Sequence, residues 1–131
     1  IIELYDRVDL LDLDRQRLTQ VYCSVTEPSY LNKFDPLEEL LDRYGKAMVL
    51  PAELAIYRRF FSMEHLQSLL LHAENTILLH KRLPDGTRVL RLHHLIPFRV
   101  ETRDYIISCI QQVDENVINA SLASFAGSAM L

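Results

Sequence analysis

The sequence predicts an α+β domain: a five-stranded antiparallel sheet with helices packed on one face. Three observations carry that prediction. Strand-like segments fall into a pair early in the chain and a run of three late in it. The stretch between them has helix start signals and apolar residues at helical spacing. The gaps separating the last three strands are too short for crossover helices, which excludes a parallel βαβ arrangement.

In chain order, residues 4–13 mix apolar and acidic positions near period 2 and read as a strand. Residues 12–16 offer turn chemistry. Residues 17–25, with Val21, Tyr22 and Cys23, favour extended structure and complete a hairpin. Residues 26–34 read as loop. Asp35 is a suitable N-cap, Pro36 suits the first helical position, and Glu38 follows three residues after the cap. The helix 36–44 then places Leu37, Leu40, Leu41 and Tyr44 on one face, with Gly45 as its C-cap. Residues 51–61 predict a second short helix, apolar on more than one side. Ser62 caps a third, with Leu66, Leu69, Leu70 and Ala73 as its inner stripe.

The late strands are 74–83, 87–98 and 105–113, with Pro84-Asp85-Gly86 turning the first into the second. In 87–98 the even positions Leu90, Leu92, His94, Ile96 and Phe98 are the apolar set, and the odd ones include Arg91 and His93. The even side is therefore expected to face the helices. That makes His94 the one ionisable group on an apolar face, where a burial-depressed pKa or a hydrogen bond to a ligand would be natural, although it reads first as a core or rim histidine satisfied by a backbone carbonyl or water. In 105–113 both faces carry apolar residues, as suits a central strand.

Composition excludes several function classes. The chain has 131 residues, 49% hydrophobic and 24% charged, and a net charge of −4. That is one domain of ordinary globular make-up, without the broad basic footprint of a nucleic-acid or membrane binder. No apolar run approaches the roughly 20 residues needed to cross a bilayer, and no signal peptide is visible. Cys23 and Cys109 sit in apolar strand contexts and read as reduced thiols. Asp9, Asp12 and Asp14 lack the glycine and bidentate glutamate of a calcium loop. Arg58-Arg59 reads as a solvated pair rather than an anion clamp. Zinc lacks its Cys/His pairs, and no serine or cysteine elbow with a poised histidine is present. No metal site and no catalysis are expected. The start at Ile1 and the small-residue ending at Leu131 read as a piece of a longer protein.

Taken together, the segments resemble a PAS domain of the kind found in bacterial diguanylate cyclases and sensor histidine kinases. The opening run of Tyr5, Leu11-Asp12-Leu13-Asp14, Arg17 and Val21-Tyr22 is similar to that family's first hairpin. Tyr44 to Phe61 and Ser62-Met63-Glu64-His65-Leu66 resemble its helices. Leu50-Pro51-Ala52-Glu53 stands where many relatives have His-Pro-Glu-Asp. Arg82 to Leu92, through Asp85-Gly86, is similar to the family's Asp-Gly hairpin. Gln112-Val113-Asp114-Glu115 looks like the junction to an output domain, with Gln112 where the family usually has an Asp.

The resemblance implies a cytoplasmic sensory domain over residues 1–114, followed by a linker or signalling helix from 115–131. Val117, Leu122 and Phe125 would offer that helix a partner-facing seam. It implies a homodimer, a small-molecule ligand and a covalently joined output domain, a diguanylate cyclase first and a histidine kinase second. Tyr57, Phe60, Leu92 and His94 are the expected pocket lining, and Gln112, Asp114 and Glu115 the expected signal-transfer junction. The alternative is a ligand-free dimerisation and relay module whose same side chains fill the core. No particular cofactor is implied. The Asn-Cys-Arg signature of flavin-binding relatives is absent, and the helical histidines His65 and His72 read as exposed or capping residues rather than haem ligands.

Overall fold

The computed structural model describes residues 5–24, 35–71 and 74–116. Two strands, β1 (Arg7–Asp12) and β2 (Arg17–Cys23), precede three helices, α1 (Leu37–Met48), α2 (Leu54–Phe60) and α3 (Met63–Leu69). A single 3-10 turn, Pro51–Glu53, leads into α2. Three longer strands follow, β3 (Asn75–Arg82), β4 (Arg88–Val100) and β5 (Arg103–Val113). All five strands join one antiparallel sheet in the order β2-β1-β5-β4-β3. The first strand therefore lies beside the last, and the chain leaves the sheet from its middle.

The expected α+β class, strand number and single sheet are all found. Pro97 is tolerated in β4 because β3 stops pairing at Leu95, which leaves the proline's nitrogen no ladder partner to deprive. Residues 26–34, His72, Ala73, Val117, Leu122 and Phe125 lie outside the described residues.

Two local expectations are corrected. α1 continues through Gly45 to Met48, and Pro36, not Asp35, stands at its N-cap, with no side-chain capping bond. Gly45 is inside the helix because the ring of Tyr57 lies against it. A Cβ at this position would overlap that ring. The glycine answers to a close approach rather than to a helix end.

The second correction concerns the faces of β4. The odd positions, not the even ones, face the helices: Arg91, His93 and Leu95 are buried there. The register explains why. Leu79 of β3 pairs with Arg91, and Ile110 of β5 pairs with His93, so these apolar residues share the odd face. Leu79, Leu95, Ile106 and Ile110 belong to the core with Leu40, Tyr57 and Leu66. The sheet as a whole sets the parity, and Arg91 and His93 are carried inside with it.

Candidate functional site

The interior between sheet and helices is unusually polar for its depth. β1 presents Arg7, Asp9 and Leu11 to the same face as Ile110, Ser108 and Ile106 of β5. Arg7 Nε donates to Asp9 Oδ2 at 2.6 Å, with both side chains almost wholly buried. Its guanidinium carbon stands 5.3 Å from the centroid of the Tyr44 ring. Burial opposes the charge on Arg7, but the hydrogen bond and field of Asp9 outweigh it and hold the pKa above the ordinary value. Such a pair costs desolvation, and it is tolerated where hydrogen bonds meet both partners.

From the next strand over, Arg91 Nη2 donates to the Tyr44 hydroxyl at 2.6 Å. Tyr57 OH donates to the Leu41 carbonyl, also at 2.6 Å. Burial first, then the neighbouring Tyr44, pushes the Tyr57 phenol well above its usual pKa. His93 stands edge-on to Tyr57 and Phe61, with centroids 6.3 and 5.9 Å away. Burial, assisted by the charge of Arg91, lowers its pKa to about 3. His93 is thus neutral at physiological pH, and its Nδ1 meets no hydrogen-bond partner among the described residues.

These side chains leave little space. The cavity enclosed among Arg7, Asp9, Tyr44, Tyr57, Phe61 and Ser108 measures about 20 Å³. That is room for a single water. A wider hollow of about 580 Å³ lies outside, an open groove lined by Glu38, Glu39, Asp42, Arg58 and Ser62 beside Tyr57 and Phe61. No group of three histidine, cysteine or acidic side chains is placed to hold a metal among the described residues.

The four residues expected to line one pocket are divided between the two faces of the sheet. Tyr57 and Phe60 lie in the core on the helix side. Leu92 and His94 alternate with the buried odd positions of β4 and lie on the opposite face. His94 Nε2 stands 3.2 Å from Glu74 Oε2 at the start of β3. The interior histidine is its neighbour, His93. His65, the described member of the helical histidine pair, is occupied locally: Nδ1 is 2.6 Å from the Phe60 carbonyl and Nε2 is 3.1 Å from Asn75.

The junction residues follow β5. Gln112 is the exposed partner of Arg91 in the β4–β5 register. Asp114 accepts from the Asn116 amide at 2.8 Å. Glu115 reaches across to β3, where its Oε1 lies 3.1 Å from His80 Nε2. The other ring nitrogen, Nδ1, lies 3.1 and 3.2 Å from the two carboxylate oxygens of Glu53. Glu53 also accepts the His80 backbone amide at 2.6 Å, and the Leu50 amide donates to the His80 carbonyl at 3.0 Å. The segment 50–53 thus closes the exposed edge of β3 at that point. Glu53 and Glu115 stand in segments that the local sequence marks and His80 does not, because the pairing joins residues far apart in the chain.

No protein-family model and no curated protein matches the chain. Solved structures do. An RNA-binding light-oxygen-voltage receptor is similar over 93% of this chain and 35% of its own, at 10% identity and a TM-score of 0.54. The chain thus spans about a third of that receptor's length. The light state of the blue-light photoreceptor Aureochrome1 LOV matches over 92% of this chain and 98% of its own, at 15% identity and a TM-score of 0.48. The PAS domain of an HTR-like protein from Haloarcula marismortui matches over 86% and 88%, at 16% identity and a TM-score of 0.44. The likeness to the first of these places the chain in the PAS/LOV type of fold. Among the described residues, no helix is long and apolar enough to cross a membrane.

Proposed function

We propose that this chain is a PAS-type regulatory domain that works as a ligand-free relay and dimerisation module. One observation carries the choice: the space between sheet and helices is filled by Arg7, Tyr44, Tyr57 and Phe61 down to about 20 Å³. A drug-sized ligand needs several hundred. The relay runs through β5 to Gln112, Asp114 and Glu115 and into a covalently joined output domain. A diguanylate cyclase is the first candidate for that output and a histidine kinase the second, both on resemblance. The step is a population shift between two arrangements, with no bond made or broken here.

The proposed partner surface is the sheet's other face. Leu92, Ile96, Phe98, Tyr105 and Ile107 lie on the face opposite the core and are partly exposed, beside the buried Val8, Leu90 and Cys109. A second copy of the chain is the occupant that this reading assigns to it. Sedimentation of the purified domain tests this. A dimer that Ile96→Asp converts to a folded monomer supports the reading. A wild-type monomer at high concentration contradicts the dimerisation half of it. A second reading, a small-ligand sensor, is favoured by the open groove beside Tyr57 and Phe61. Saturable binding of a small molecule there, lost in Arg58→Ala, would replace the ligand-free reading.

A further inference from the structure

The side chain of His80 stands where three parts of the molecule meet. It projects from β3, Glu53 approaches from the 3-10 turn at the start of α2, and Glu115 approaches from the exit of β5. Both ring nitrogens face carboxylate oxygens at 3.1 Å. A neutral imidazole has one N–H and one lone pair, so it can donate to only one of them. The lone pair would then point at the other carboxylate, which has no proton to offer. Only the imidazolium satisfies both contacts.

The two contacts are not equivalent. Glu53 is anchored independently, because it accepts the backbone amide of His80 as well. Its carboxylate stays in place whatever the ring does. Glu115 has no such second tie to β3 among the described residues, and its side chain is 54% exposed. Loss of the ring proton therefore breaks the Glu115 contact first.

We infer that His80 is a proton-operated fastener that holds the exit of β5 to the edge of the sheet when protonated and releases it when neutral. The hydrogen bonds to Glu53 and then Glu115 raise the His80 pKa against a small opposing effect of burial. Arg82 of β3 and its register partner Arg88 of β4 lie on the ring's side of the sheet, two residues along the strands. Lys81, Arg91, His93 and Tyr44 line the crevice on its inner side. His93 is neutral there, and the Arg91 guanidinium is turned to the Tyr44 hydroxyl. Leu90, the facing residue of β4, is apolar. The folded pKa lies above the ordinary 6.5. The fastening is thus fully present below pH 6.5 and is lost as pH rises through the folded value. The fastener is a property of this chain alone. Its consequence for an output domain rests on the relay reading, and the two are tested separately.

The experiment is an NMR titration of the 131-residue chain between about pH 5 and 9. It follows the His80 ring nitrogens and the exchange rates of the 113–116 amides. Wild type should show the doubly protonated His80 ring in more than half of the molecules at pH 6.5. Exchange at 114–116 should quicken about two- to fivefold with the same midpoint as the ring. Glu115→Gln should lower that midpoint and remove the pH dependence of the junction, while leaving the 3-10 turn protected. A ring that titrates at or below the ordinary histidine value overturns the proposal, as does a junction indifferent to the ring. Either result leaves the dimer and the filled interior untouched, so the relay reading survives or falls on its own measurement.

Discussion

Single residues decide how the interior is filled. Gly45 gives the Tyr57 ring its seat. Gly45→Ala should therefore displace the ring rather than gain the usual helical benefit of alanine. The expected cost is about 1–3 kcal/mol in urea unfolding, where an exposed mid-helix glycine would gain about 1. An increase in stability would show that the ring moves freely. His93 governs the acid range. Its folded pKa is about 3, against the ordinary histidine value of 6.5. Between those values the unfolded chain binds a proton that the folded chain excludes, so stability falls as pH falls. The slope from this residue is about 1.4 kcal/mol per pH unit. His93→Leu should flatten it, as read from unfolding midpoints between about pH 4 and 6. The buried pair is the third case. Arg7→Met leaves the Asp9 carboxylate without its 2.6 Å contact. The single change should cost about 3–5 kcal/mol, and Arg7→Met with Asp9→Leu should recover most of it. If the double variant is no better than the single one, the ion pair is not the reason.

At the scale of elements, ends and turns matter more than interiors. Ser62 Oγ accepts the His65 amide at 3.2 Å and caps α3, as its sequence position predicts. With only seven residues, that helix depends on its cap and its packing. Ser62→Ala should lower stability by about 1 kcal/mol without changing the fold. The β4–β5 turn carries strain of a different kind. Glu101 adopts φ 58, a left-handed conformation that costs a side chain such as glutamate about 1 kcal/mol or more. Glu101→Gly should therefore be stabilising by a few tenths to about 1 kcal/mol in the same unfolding assay, net of the glycine's extra freedom when unfolded. Nearby, Arg99 grips Asp104 with two bonds, and Phe98 stacks on Tyr105 at 5.5 Å. The hairpin is thus held by pairs on both sides of the strained residue.

At the scale of the molecule, the architecture was legible in the sequence. Pro84-Asp85-Gly86 marks one hairpin, Ser62 one helix start, and the short gaps among the last strands forbid crossovers. What was not legible was which face of β4 looks inward. Alternation read from that strand alone favours Leu90, Leu92 and Ile96, because they are the apolar set. The sheet reverses that choice, since β3 and β5 put Leu79, Ile106 and Ile110 on the side of Arg91 and His93. A sheet with apolar residues on both faces gives no parity signal in one strand. The same ambiguity placed Leu92 and His94 in an expected pocket with Tyr57 and Phe60. Long-range polar contacts such as His80 with Glu53 and Glu115 leave no trace in local spacing. The dimerisation proposal rests on the apolar residues of the face turned away from the core.

The filled interior is the claim from which the relay reading follows, and native mass spectrometry of the domain isolated from cells tests it most directly. A mass equal to the polypeptide alone, or to two copies of it, is expected under conditions gentle enough to retain bound molecules. A stoichiometric small molecule carried through purification, and lost when Tyr57 or Phe61 is substituted, would contradict it.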